Sequence, residues 1–298
     1  MRGHYLRKSA GDLLGTARKQ ILDCGDGVRL LGYHSAQTLA PRGLAILLHG
    51  WEGCVESNYV VSLGATLYAH GFDVFRLNFR DHGGTQSLNE ELFHSCRIDE
   101  VVNAIAAIQR QYRAPRTVLI GHSLGGNFAL RAAARAVDAN LALDKVLAVC
   151  PVLDPRSTML ALEQGLWVYR RYFLRRWRRS LRAKAAHFPD RYDFGDLRRF
   201  RTLTETTRFF VESYTEFPDL DTYLRGYAIT GSVLAKLAVP SRLIAAADDP
   251  VIPRHDLARL AQPSALDIQV IKYGGHCGFL ESYALRSWLD KEILALLQ

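Results

Sequence analysis

Short apolar runs alternate with longer helical patterns along most of this chain, and that alternation restricts its possible folds more than any other feature. "LAILLHG" (44–50), "FDVFRLNF" (72–79), "RTVLIG" (116–121), "KVLAVC" (145–150), "SRLIAAA" (241–247) and "DIQVIKY" (267–273) each read as a strand, and "RLLGYHSA" (29–36) precedes them as another. Residues 57–70, 98–112 and 124–137 read as helices between them. Strands separated by helices return in the same direction, because right-handed crossovers lay the helices on the faces of one sheet. The expected fold is therefore α/β, with a mostly parallel central sheet flanked by helices.

The pattern breaks between Cys150 and Ser241, a gap of about ninety residues that is too long for one crossover helix. This span is rich in arginine and aromatic residues and predicts an inserted helical cap over 153–238, leaving 1–152 and 239–298 as the core. Such insertions cover the C-terminal ends of parallel strands, where open α/β sheets bind their ligands.

Composition narrows the chemistry. The five cysteines (Cys24, Cys54, Cys96, Cys150, Cys277) show no C-x-x-C spacing, which points to reduced thiols and away from a zinc site. The first twenty residues carry charge without an apolar core, and no apolar run is long enough to span a bilayer, so a cytoplasmic location is expected. The net charge of +8 is local: residues 169–184, "YRRYFLRRWRRSLRAK", hold eight Arg or Lys and no acid, and without those eight the remaining 30 basic residues equal the 30 acids.

"LIGHSLGGNFAL" (119–130) places Ser123 between an apolar strand and an alanine-rich helix, with Gly121 and Gly125 on either side. In G-x-S-x-G the glycines relieve crowding at a sharp strand-to-helix turn, so the hydroxyl projects above the sheet edge at a helix N-terminus. A serine nucleophile needs a base, an acid to orient that base, and N–H donors for the developing oxyanion. On such a sheet the order along the chain is Ser, Asp or Glu, then His. "AADDPVIP" (246–253) follows a strand and offers Asp248 or Asp249; Asp249 is preferred because Pro250 fixes the turn behind it. Asp154, in "PVLDP", is the reserve acid. "GGHCGF" (274–279) follows the last strand and offers His276 in a glycine-rich loop. The backbone N–H groups of Trp51 and Leu124 are the expected oxyanion donors. His49 and His122 read as structural, and Asp81 and His82 as a loop-stabilising pair.

With these residues assembled, the chain resembles an α/β-hydrolase, and more narrowly the YheT-like branch of esterases and lipases. The resemblance rests on "LLHGWEGCVESNYV" (47–60), "RLNFRDHGG" (76–84), "GHSLGGN" (121–127), "AADDPVIP" and "GGHCGF", and runs from about residue 20 to the C-terminus, more weakly through 155–205. Trp51 stands where leucine is usual, Cys54 where serine is usual, and "FRDHGG" departs from the commoner Arg-Gly version. The resemblance implies that Ser123, Asp249 and His276 occupy the charge-relay positions. It also implies ester hydrolysis through an acyl-enzyme, without metal or organic cofactor, on a small-molecule or lipid ester. Acyltransferase and thioesterase chemistry use the same residues and stay open.

The basic segment supports several readings. Tyr169, Phe173, Trp177 and Leu181 recur every four residues, as on an amphipathic helix. That stripe packs either on the core of a cap with arginines in water, or on an anionic membrane surface with Arg175, Arg176, Arg178 and Arg179 as contacts. Nucleic acid is not the expected partner.

Overall fold

The computed structural model describes residues 7, 9–281 and 287–298. Its strands are β1 (Arg18–Asp23), β2 (Arg29–Ser35), β3 (Gly43–Leu48), β4 (Phe72–Leu77), β5 (Thr117–His122), β6 (Lys145–Val149), β7 (Ser241–Ala246) and β8 (Leu266–Ile271). They form one sheet in the order β1-β2-β4-β3-β5-β6-β7-β8. β1 with β2 and β2 with β4 pair antiparallel, and every pairing from β4 onward is parallel.

β3 is apolar at every position after Gly43, and every residue is buried. A strand of that kind has to be covered on both faces. Leu44, Ile46 and Leu48 belong to one apolar cluster, and Ala45 and Leu47 to another, as the period-2 alternation of side chains requires. α1 (Gly11–Gly15), α2 (Asn58–Ala69) and the C-terminal helix 288–296 cover the second cluster through Leu13, Leu63 and Ile293. α3 (Ile98–Gln111) and α4 (Leu124–Ala134) cover the first through Ile105 and Phe128. Leu124–Ala134 therefore starts on a buried platform, and its N-terminus is held at the end of β5.

β1 is an addition to the elements expected from sequence. In "RKQILD" only Leu22 is buried, because the strand lies at the sheet edge with one partner. Such a strand carries little apolar periodicity and forms because β2 offers it a ladder.

Between β6 and β7 the chain forms α5 (Pro155–Gln164), α6 (Trp167–His187), α7 (Leu203–Tyr214) and α8 (Leu220–Gly226); α9 (Trp288–Leu296) follows β8. Asp154 caps α5 and a Thr202–Glu205 capping box starts α7. On α6, Trp177 and Leu181 are buried while Tyr169 and Phe173 are partly buried against the core, so the four-residue stripe packs inward. Among the described residues, no helix is long and apolar enough to cross a membrane.

Candidate active site

The turn after β5 is shaped by its glycines. A Cβ on Gly121 would stand 2.1 Å from the Gly125 carbonyl oxygen, and one on Gly125 would stand 2.5 Å from that of His49. Only with both side chains absent can β5, the turn and α4 lie this close. Ser123 takes up the strain, with φ of 53° and ψ of −118°. Its own N–H donates to the Val149 carbonyl at 2.8 Å, which ties the turn to β6.

Loops from the ends of β7 and β8 meet at this hydroxyl. His276 Nε2 lies 3.0 Å from Ser123 Oγ, and His276 Nδ1 lies 2.9 Å from Asp249 Oδ2. With Nδ1–H donating to the carboxylate, Nε2 presents its lone pair to the serine hydroxyl. The Asp249 side chain is buried, and its Oδ1 accepts from the Val251 and Ile252 N–H groups at 2.8 and 3.1 Å, so the turn before Pro253 aims the carboxylate. Asp248 points elsewhere: its Oδ1 accepts from the Gly274 and Gly275 N–H groups at 2.8 and 2.9 Å. Those two amides hold the Asp248 carboxyl below its ordinary value, and the bonds pin the loop that carries His276. Asp154, the reserve acid, is spent as the α5 cap and as a partner of Arg259.

Trp51 and Leu124 flank the serine. Leu124 begins α4, where N–H groups have no intrahelical acceptor. The Trp51 N–H has no hydrogen-bond acceptor among the described residues, whereas its neighbours are committed: Gly50 N–H to Tyr59 Oη at 2.9 Å, Glu52 N–H to His82 Nε2 at 3.2 Å. The Trp51 ring stacks on Phe173 with centroids 5.2 Å apart and meets Trp177 edge-on at 5.3 Å. The α6 helix thus holds the segment from which that N–H projects.

His49 and His82 are neutral scaffolds. Each bonds a backbone carbonyl through Nδ1, at 2.7 Å, and accepts a backbone N–H at Nε2, which a protonated ring cannot do. Burial pushes His82 down to about 4 and His49 well below the ordinary histidine value. Asp81 and His82 do steady this loop, but through separate partners and without a bond between them. Asp81 accepts from Lys184 Nζ at 2.8 Å and from the Phe93 N–H at 2.8 Å. Lys184 is fully buried and also donates to the Asn89 and Glu91 carbonyls, so it fastens α6 to the loop after β4.

A cavity of about 410 Å³ opens over Ser123 and His276, walled by Trp51, Tyr59, Tyr172 and Phe173. Glu52 borders it too, and burial pushes its carboxyl up to about 7 against the pull of Arg176. A second cavity of about 90 Å³ lies beyond Trp51 and Leu124, lined by Leu162, Trp177, Leu203 and Phe210. Tyr59 and Lys184 carry no signal in the sequence, since each acts through a backbone or loop contact that leaves no motif; Asp248 is visible there only as the alternative acid, and its bonds to the Gly274 and Gly275 amides are not.

Among the described residues, one group brings three residues of metal-ligating type close together: Cys150, His276 and Cys277, with ligand atoms within 4.8 Å of one another. Both His276 nitrogens are already engaged. The Cys277 thiol is pushed well above its ordinary value by its hydrogen bond with Cys150 and then by burial, which disfavours the thiolate a metal would need.

A family model described as the alpha/beta hydrolase fold matches residues 45–283. The chain belongs to that family. Within it the chain falls in the YheT-like esterase branch. It is 25% identical over 283 residues to the Escherichia coli (strain K12) protein named "Putative esterase YheT", covering 90% of this chain and 80% of that one. It is 24% identical over 320 residues to "Putative esterase slr0264" of Synechocystis sp., covering 93% and 85%. Among solved structures, the Pyrococcus furiosus esterase Pf2001 superposes with a TM-score of 0.62 at 13% identity, covering 94% of this chain and 91% of that one; the likeness is one of fold. The protein is an esterase-like α/β-hydrolase.

Of the four arginines expected at an anionic surface, Arg176 borders the cavity over Ser123, whereas Arg175 and Arg178 line a cleft on another side of α6. Arg179 is exposed and lines neither.

Proposed function

We propose that the protein hydrolyses carboxylic esters with Ser123 as nucleophile, His276 as general base and Asp249 as the group that orients and stabilises the imidazolium. The observation that carries this reading is the hydrogen-bonded line from Ser123 Oγ through His276 to Asp249, with links of 3.0 and 2.9 Å, at the C-terminal ends of β5, β7 and β8. His276 Nε2 takes the hydroxyl proton as Oγ attacks the ester carbonyl, and the carbonyl oxygen gains negative charge toward the Trp51 and Leu124 N–H groups. His276 then gives the proton to the departing alkoxide, leaving an acyl-serine. Water, deprotonated by the same imidazole, releases the acid.

The apolar cavity beyond Trp51 suits the acyl group, because it adjoins both proposed oxyanion donors and is walled largely by carbon. At about 90 Å³ it favours short acyl chains over long ones. The test is labelling with a fluorophosphonate together with a p-nitrophenyl ester series. The wild type should label and prefer short chains, and Ser123→Ala should do neither. Turnover that survives in that variant sinks the assignment.

A further inference from the structure

α6 separates two cavities of opposite character. Val168, Tyr172, Phe173 and Arg176 face the cavity over Ser123. Around the helix, Arg171, Arg175, Arg178 and Arg182, spaced 4, 3 and 4 residues apart, line a cleft of about 500 Å³. Arg198 and Arg201, which follow in the segment leading to α7, line it too, and Arg170 completes it. Seven guanidinium groups thus border one concavity, with no acid among its lining residues.

Most of these charges lack an ion-pair partner among the described residues. Arg170 lies 3.8 Å from Glu163, and Arg178 donates to the Phe200 carbonyl while its Nε, buried, has no partner. The side chains of Arg171, Arg175, Arg182, Arg198 and Arg201 make no hydrogen bond or ion pair within the described residues. The acids of the adjoining segment bond backbone amides and not guanidinium groups: Asp196 accepts from the Arg198 N–H, and Glu205 from the Arg201 and Thr202 N–H groups. Burial and then Arg182 lower the Arg178 guanidinium from its ordinary value; Asp196 opposes them and Arg198 adds to them. Clustered like charges destabilise a fold unless a counter-charge arrives.

The residue type identifies the counter-charge. Every cation in the cleft is arginine, and Lys184, the one lysine of the basic segment, is turned away into the buried pair with Asp81. Arginine presents parallel N–H donors that match two oxygens of one phosphate, a geometry that lysine cannot offer. A concave array of such forks suits several phosphate oxygens at once.

We propose that the cleft between α6 and residues 198–201 binds a phosphate-bearing polyanion, either a soluble molecule with two or more phosphoryl groups or the clustered headgroup phosphates of an anionic lipid surface. The exposed Leu166 and Trp167 at the start of α6 would touch lipid in the second case. The site stands independently of the esterase assignment, and its test reads binding alone.

Inorganic tripolyphosphate is titrated calorimetrically into the full-length protein in 0.1 M salt, with sulfate at matched ionic strength as comparison. Flotation with vesicles of phosphatidylcholine, with and without phosphatidylglycerol, runs in parallel. The variant is R171Q/R175Q/R198Q/R201Q, and the control, with the same charge change elsewhere, is R18Q/R110Q/R113Q/R254Q. Tripolyphosphate should bind at least tenfold more tightly than sulfate, and the cleft variant should lose at least tenfold in affinity while the control loses less than threefold. Thermal melting shows whether each variant is folded. Phosphatidylglycerol-dependent flotation that tripolyphosphate competes away assigns the lipid source; tripolyphosphate binding without flotation assigns the soluble one. Absence of both, equal affinity for sulfate, or equal losses in variant and control overturns the proposal.

Discussion

Adjacent aspartates at the end of β7 have separate tasks, and the distinction lies in which N–H groups each carboxylate meets. Asp249 joins the imidazole of His276, and Asp248 joins the backbone of the loop that carries it. Asp249→Asn should lower kcat by about 10³ to 10⁴-fold, because an amide stabilises the wrong imidazole tautomer. Asp248→Asn keeps an oxygen for the two glycine amides and should change kcat only a few-fold. Asp248→Ala loses that acceptor and should fall between the two. Steady-state kinetics on one soluble ester ranks all three, and an Asp248→Asn defect as deep as that of Asp249→Asn would show that the acids had been assigned wrongly. Gly121→Ala is a different kind of residue effect: its methyl would collide with the Gly125 backbone, so the expected outcome is misfolding, seen as loss of the cooperative melt.

At the scale of elements, α6 is joined to the core by Lys184 and by the aromatic contacts of Trp51. Burial pushes the Lys184 ammonium down and the Asp81 carboxyl up, each toward neutrality, while their mutual attraction and hydrogen bonds oppose both shifts. Lys184→Met removes one partner and leaves Asp81 buried without its cation, which should cost about 3–5 kcal/mol. Urea denaturation measures the loss. Adding Asp81→Asn should recover part of it, since the uncompensated charge is then gone; a double variant as unstable as the sum of the singles would assign the loss to packing. Because α6 also touches Trp51, kcat on a soluble ester should fall in the Lys184→Met protein even where it remains folded.

For the whole molecule, acid stability is governed by buried neutral histidines. Burial pushes His82 to about 4, and His94 and His122 to about 3. In the unfolded chain these rings titrate near 6.5, so below that pH the unfolded state binds more protons and stability falls as pH drops. Glu52 works oppositely: its folded value of about 7 lies above the unfolded one, so its contribution is present at low pH and fades as pH rises through 7. Counting these three rings and Glu52 alone, the unfolded state between pH 5 and 6 binds about three histidine protons that the folded state lacks, and the folded state binds about one on Glu52; His49, lowered too, adds in the same direction as the other rings. The net of about two protons corresponds to roughly 3 kcal/mol per pH unit. Thermal melting from pH 8 to 4 should show a level region above 7 and a steep decline below 6; a flat profile would mean that these rings are protonated in the folded protein.

Much of this molecule is legible along the chain because its determinants are local. The apolar runs of β3 to β7 and the glycines around Ser123 state their geometry within a few residues, since burial on both faces and a crowded turn each leave a compositional mark. The Ser, Asp, His order follows as well, because each group sits just after a strand. Where determinants are distant in sequence, tertiary structure decides. β1 shows almost no periodicity and exists because β2 provides an edge. The tasks of Asp248 and Asp249 depend on where a loop 26 or 27 residues later folds back. The basic run of α6 is uniform as text, yet helical rotation sends Arg176 to the serine cavity, Lys184 into the core and Arg175 into a cleft completed by Arg198 and Arg201. Charge can be counted in a sequence, but whether it is paired, buried or concentrated in a concavity depends on which other segments the packing brings beside it.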